Sequence, residues 1–380
     1  MIENRYKRSI TLMVNVLPLL ILMIVGCKSD GNSNNDNKPN IESGSMKTIT
    51  ENIQNNVYPK IENPFRQRDF LPYLNDKWIG KAVSYGCYRE GQAPGVTGPS
   101  ETEILEDLKI IKQYWNLIRV YGSDSDTEKI LKVIAEEKLP IKVMVGVWLE
   151  NEVNNPERKA ENIEQVLKAI ELGNKYKDII ASISVGNETQ VFWSFHKMGM
   201  DNLIKYIRYV RNNTSVPVTV ADDYNFWNKA ESKEVADEID FIVCHIYPLW
   251  NGKTLEESIE WMGNIYFNDI ITKHPEKQIA IGEVGWATTY NPEKKGDGEQ
   301  GSLVKGEISV KAQEKFLLKL DKWIDENKVT TFLFEAFDEP WKGGGENSGP
   351  NEIEKHWGVF YKDRKPKESF KNYLNNVNGK

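Results

Sequence analysis

Cysteine and histidine are scarce, with 3 and 4 copies in 380 residues. One cysteine, Cys27, ends the first segment, which leaves Cys87 and Cys244 far apart in or beside apolar runs. Two such residues make no disulfide scaffold and read as buried free thiols. Of the histidines only His245 closes an apolar run, with Asp222 and Asp223 as the acids that could join it. That set reads as a hydrogen-bonded inner histidine, so catalysis is expected to need no metal and no cofactor. Clustered basic charge is also missing. The net charge is −7 and no stretch concentrates Lys or Arg, which excludes a nucleic-acid groove and a basic membrane-binding surface. The turn Tyr85-Gly86-Cys87-Tyr88 is not the glycine-rich phosphate loop that a doubly wound nucleotide-binding sheet would carry after its first strand.

Arg5, Lys7 and Arg8 precede an apolar run over 10–25 that Asn15 and Pro18 interrupt. The run is shorter than the roughly 20 residues a spanning helix needs and has the layout of a signal peptide. Its end, Ile24-Val25-Gly26-Cys27, resembles the lipobox of bacterial lipoproteins. The resemblance implies removal of 1–26 and lipidation of Cys27. Residues 27–45 are dominated by Asn, Ser, Asp and Gly and read as a flexible tether. Together they predict a cell-envelope lipoprotein, anchored to the outer membrane and either periplasmic or surface-exposed. Residues 46–77, with Pro59, Pro64, Pro72, Phe65, Phe70 and Tyr73, read as an extended lead-in packed against the domain that begins at residue 78.

From residue 78 the pattern becomes periodic. Short β-branched runs fall at 81–85, 117–121, 141–148, 179–185, 216–221, 239–247, 278–282 and 330–337. Amphipathic helical stretches at 103–114, 126–137, 157–176, 200–212, 254–271 and 310–327 separate most of them. Strands apolar on both faces and alternating with helices signal a buried parallel sheet. Eight such units predict an α/β fold, a (β/α)8 TIM barrel over 78–376.

In such a barrel the active site lies where strands end. The predicted ends carry Arg119 and Tyr121, Trp148, Asn187 and Glu188, Asp222 with Trp227 beyond, Tyr247 with Trp250, Glu283 with Trp286, and Glu335, Glu339, Trp341 and Lys342. Six of the 11 tryptophans (148, 193, 227, 250, 286 and 341) fall at or just past these ends. Indole faces stack on pyranose rings and carboxylates bind hydroxyls, so the combination fits carbohydrate. Glycosidic cleavage needs one carboxylic acid to protonate the departing oxygen and a second carboxylate to meet the developing positive charge. Glu188 and Glu283, each closing a strand beside small residues, are the candidates.

These residues resemble glycoside hydrolase family 17, the β-1,3-glucanases, in a bacterial branch. The matching pieces are Arg119-Val120-Tyr121, Val185-Gly186-Asn187-Glu188, His245-Ile246-Tyr247-Pro248, Gly282-Glu283-Val284-Gly285-Trp286, 334–342 and His356-Trp357-Gly358-Val359-Phe360, in order. The resemblance implies a retaining, laminarinase-like endo-β-1,3-glucanase, active as a monomer, with Glu188 as acid/base and Glu283 as nucleophile. It further implies Asn187 on the sugar 2-hydroxyl, Tyr247 on the nucleophile, and Glu339 and Lys342 in sugar subsites. Val284 and Ala287-Thr288 depart from the family's usual Thr-Gly-Trp-Pro-Ser, and 290–308 is a long charged loop expected beside the cleft. Two other readings share the barrel: a β-1,3-glucan transglycosylase, and a glycan-binding surface lipoprotein without activity. Endo versus exo action and tolerance of β-1,6 branches stay open.

Overall fold

The β-branched runs pair in the order in which they occur. The computed structural model describes residues 43–153 and 155–378. Eight parallel strands close into a barrel: β1 Lys81–Ser84, β2 Leu117–Arg119, β3 Lys142–Val147, β4 Ile180–Asn187, β5 Val218–Asp223, β6 Phe241–His245, β7 Ile279–Val284 and β8 Thr331–Leu333. β8 returns to β1 in register Phe332↔Ala82, which leaves the barrel without an exposed edge. The fold is the predicted (β/α)8 barrel.

Helices cover the barrel and their ends are written in the sequence. Ser100 and Glu103 form a capping box at the start of Glu101–Ile111. Asp124 caps Ser125–Glu136, and Asn155 with Pro156 opens Pro156–Lys175. Ser309 caps Val310–Asn327, whose Phe316, Leu317, Leu320, Trp323 and Ile324 are buried. The predicted helix 254–271 starts late, at Ser258, and runs into a wider π-type turn at Ile265–Ile271. The Thr254 hydroxyl binds Glu257 at 2.7 Å and holds the first residues in a turn instead.

The lead-in differs from expectation. A helix, Ser43–Gln54, crosses the predicted tether boundary. Met46, Ile49 and Ile53 lie at helical spacing, and Ile53 is fully buried. Phe70 then enters the barrel and stacks on Phe241 with centroids 4.3 Å apart. It belongs to an inner layer with Leu117, Met144, Ala221 and Phe332. Truncating Phe70 would open a cavity worth about 3–5 kcal/mol. Cys87 and Cys244 are free and buried. Residues 1–42, including Cys27, the signal segment and most of the tether, lie outside the described residues. Among the described residues no helix is long and apolar enough to cross a membrane.

Candidate active site

The C-terminal ends of β2, β4, β6 and β7 bring Arg119, Glu188, His245, Tyr247 and Glu283 together. β4 does not end as a regular strand. Its register with β5 shifts between Ser184 and Asn187, Gly186 adopts φ +89°, and Glu188 itself lies in the left-handed region at φ +52°. A bulge of this kind re-aims a side chain, and a non-glycine residue there costs roughly 1–2 kcal/mol. Glu188 N–H still donates to Ala221 O at 2.9 Å. The result points Glu188 across the mouth toward Glu283, with carboxyl oxygens of the two and a His245 nitrogen all within 4.8 Å of one another.

The two carboxyls have unlike surroundings. Glu283 takes donors on both oxygens: Arg119 Nη1 reaches Oε1 at 2.7 Å and the Tyr247 hydroxyl reaches Oε2 at 2.7 Å. Burial alone would raise its pKa, but the charge of protonated His245 first, then the Arg119 cation and these donors, hold it below the ordinary carboxylate value. Burial pushes the pKa of His245 itself down to about 4, so above that it is Arg119 and Tyr247 that stay on the carboxylate. Glu188 lacks such donors. Burial first, and the charge of Glu283 second, raise it to about 8. Near neutral pH one carboxyl keeps its proton and the other is an anion.

His245 links the pair. Its Nδ1 is 3.0 Å from Glu188 Oε1, and its Nε2 is 3.5 Å from Glu283 Oε1. With Glu188 protonated, the consistent tautomer carries its hydrogen on Nε2, facing the anion, and accepts from Glu188 at Nδ1. The sequence placed His245 inside the barrel but not among the site residues. Its spacing of two from Tyr247, which puts both on one face, was the available signal. The three converging groups also have the outline of a cation site. Arg119 already occupies Glu283 Oε1 and Glu188 keeps its proton, so the donor set suits acid–base chemistry better than a divalent ion.

Arg119 also donates to Asn187 Oδ1 at 2.6 Å. A guanidinium has only donors, so the amide oxygen must face it and the Asn187 NH2 points elsewhere, available to a sugar hydroxyl. Tyr121 lies under Arg119 at 4.6 Å. Past β8, Lys342 Nζ joins Glu335 at 2.6 Å and Glu339 at 2.5 Å, while Trp341 Nε1 donates to Glu339 at 2.9 Å. Burial raises Glu335 well above the carboxylate range, whereas Lys342 and these hydrogen bonds hold Glu339 below it despite burial. Trp148 and Trp250 are half-buried at the rim. The 290–308 loop is pinned rather than free, since the buried Gln300 amide bonds Glu352 at 2.7 Å.

Four predicted substrate contacts are corrected. Glu335 is fully buried and its Oε2 takes Lys342 Nζ at 2.6 Å, so it orients Lys342 and does not reach sugar. Trp227 is fully buried, and its indole N–H donates to Val243 O at 3.0 Å. Trp286 is 1% exposed, and its N–H donates to Glu307 O at 2.9 Å. Asp222 is fully buried and takes the backbone N–H groups of Gln190 and Val191 at 2.8 and 3.2 Å, fixing the loop after Glu188. An indole or carboxylate with its polar atom committed to the backbone under the surface does not touch sugar.

A closed parallel barrel with an acid–anion carboxyl pair at its C-terminal mouth has the parts that glycosidic cleavage needs. The comparisons give the family. The BtgE/BtgC glycoside hydrolase domain matches residues 82–358, and the chain belongs to that family. The btgC protein of Aspergillus niger is 29% identical over 292 residues, 72% of this chain and 40% of that one. The glucan endo-1,3-beta-glucosidase btgC of Emericella nidulans is 27% identical over 69% of this chain and 41% of its own length. The chain thus spans less than half of these relatives, both from fungi. Among solved structures, an endo-laminarinase from Formosa Hel1_33_131 superposes with TM-score 0.65 at 24% identity, over 79% of this chain and 88% of that one. The family 17 β-1,3-glucanosyltransferase of Rhizomucor miehei gives TM-score 0.59 at 22% identity, over 76% and 95%. At these identities the two structures speak for the fold.

Proposed function

We propose that this chain is a retaining endo-β-1,3-glucanase that hydrolyses laminarin-like glucans. The observation that carries the reading is the approach of one oxygen of Glu188 to one of Glu283 within 4.8 Å, too close to leave an inverting enzyme's gap, with one carboxyl raised to about 8 and the other held below its ordinary value. Inverting enzymes separate their carboxyls by about 6.5–9.5 Å to admit a water between them, whereas retaining enzymes keep them about 5–5.5 Å apart.

In the first step a Glu283 oxygen attacks the anomeric carbon, the glycosidic C–O bond breaks, and the leaving oxygen takes the Glu188 proton. Esterification removes the Glu283 charge, so Glu188 becomes more acidic and remains ionised. In the second step Glu188 takes a proton from water, the water oxygen attacks the anomeric carbon, and Glu283 is released as the anion. In this reading Asn187 binds the 2-hydroxyl of the attacked sugar, and Glu339, Trp341 and Lys342 bind neighbouring glucosyl units.

Cys27, lipidated after removal of 1–26, would hold the catalytic barrel at the cell envelope as a monomer. The lipobox-like sequence supports this and a bacterial branch. The test uses wild type, Glu188→Ala and Glu283→Ala on laminarin, with azide added. Rescue of Glu283→Ala to an α-glycosyl azide, and of Glu188→Ala on an activated aryl glycoside to a β-azide, supports both roles. Exchanged anomers would reverse them.

A further inference from the structure

The turn that carries Glu188 is held from a single neighbouring strand. Glu188 lies in the left-handed region at φ +52°, two residues after Gly186 at φ +89°. A non-glycine residue keeps such a conformation only where its surroundings over-determine it. β5 supplies that restraint at two successive residues. Ala221 O takes the Glu188 N–H at 2.9 Å. Asp222 Oδ2 then takes the Gln190 N–H at 2.8 Å, and its Oδ1 takes the Val191 N–H at 3.2 Å. Oδ1 also takes the Asp223 N–H at 2.9 Å, which ties the carboxyl to its own strand. The chain is thus gripped at Glu188 and again two and three residues beyond it. The Met198 N–H on Thr189 O, at 3.0 Å, closes the far side of the loop.

Asp222 stands behind this turn and not in the groove. Val218 and Val220 share its face of the strand and belong to the outer layer beneath the helices, whereas Ala221 lies in the inner layer. Asp222 is fully buried. Burying a carboxyl costs free energy unless its oxygens are bonded. Its three partners are all backbone N–H groups, and two of them belong to the loop after Glu188. An apolar side chain would fill this outward position as Val218 and Val220 fill theirs. What Asp222 adds is the hold on those N–H groups.

We propose that Asp222 is a positioning residue for the acid/base: it holds the left-handed turn and so keeps the Glu188 carboxyl aimed at the glycosidic oxygen. It touches neither sugar nor the reacting atoms. Proton transfer needs its donor within hydrogen-bond reach, and a misplacement of about 1 Å costs on the order of a hundredfold. Glu283 is held separately, by Arg119 and Tyr247. Loss of Asp222 therefore injures the steps in which Glu188 gives or takes a proton and spares the attack by Glu283. This inference rests on the glucanase reading above.

The test compares wild type with Asp222→Asn and Asp222→Ser, at a temperature where circular dichroism shows each variant folded. The asparagine keeps the shape but must turn an N–H toward one of the backbone N–H groups. The serine leaves room for water to meet them. Laminarihexaose has a departing sugar that needs a proton, whereas 2,4-dinitrophenyl β-laminaribioside has a leaving group that needs none. In both variants kcat/KM for the hexaose falls about tenfold to a hundredfold, while kcat/KM for the aryl glycoside changes less than about twofold. The aryl kcat falls, because water attack still needs Glu188 as base, and azide restores it with a β-glycosyl azide as product. An equal fall of kcat/KM on both substrates would make Asp222 a residue of the fold alone. No fall on either would leave the turn independent of it. Each outcome overturns the proposal. A wild type inactive on both substrates would instead sink the glucanase reading, a separate and distinguishable failure.

Discussion

Arg119 Nη1 sits 2.7 Å from Glu283 Oε1, with only 2% of the arginine side chain and 8% of the glutamate exposed. A buried ion pair is weak support for stability, because desolvation offsets much of the attraction. Here it fixes which of two neighbouring carboxyls is the anion. Glu188, without such a partner, keeps its proton to about pH 8.

The expected pH profile follows from these directions. Cleavage needs Glu188 protonated and Glu283 ionised. For Glu283 the folded pKa is lowered, so activity is gained as pH rises through a value below the ordinary 4.5. For Glu188 it is raised, so activity is lost as pH rises through about 8. The kcat/KM profile on laminarin should be a broad bell with its alkaline limb near there. Removing the neighbouring charge by Glu283→Gln should move the Glu188 titration downward, measurable by carbon NMR of labelled glutamate. A Glu188 pKa unmoved in that variant would separate the two groups electrostatically.

Gly86 is placed by Glu339. A Cβ at position 86 would lie 1.9 Å from Glu339 Oε1. Gly86→Ala should therefore displace that carboxylate from Lys342 and Trp341 and raise KM on laminarin by about tenfold or more, the scale of one charged hydrogen bond. Ala at this position with unchanged KM would show that Glu339 does not bind glucan.

The corrected tryptophans make a contrasting prediction. Trp286 packs on Phe316 with centroids 5.2 Å apart under the rim. Trp286→Ala should lower unfolding free energy by about 3–5 kcal/mol, as other large core deletions do. Denaturant titration checks this. At a temperature where the variant stays folded, KM should change little.

The barrel was legible because a closed parallel sheet imposes a strong pattern: eight apolar runs, buried on both faces and separated by amphipathic helices. The helix 310–327 has the predicted bounds because Ser309 supplies the cap. The carboxyl pair was legible because strand ends mark the mouth. Which side chains face sugar was less so. Trp227 and Trp286 follow strand ends within four residues, as Trp148 does, but their N–H groups find buried carbonyls that only tertiary structure supplies. The helix at Ser43–Gln54 was missed because its apolar spacing is short and lies within polar sequence. The left-handed turn that aims Glu188 arises from a bulge in pairing with β5, which no local pattern announces.

The most direct test is the configuration of the first reducing end released from laminarihexaose, followed by proton NMR before mutarotation. The account predicts the β-anomer, the product of two successive displacements at one carbon. Release of the α-anomer would mean a single displacement, and Glu283 could not then be the group that bonds to sugar.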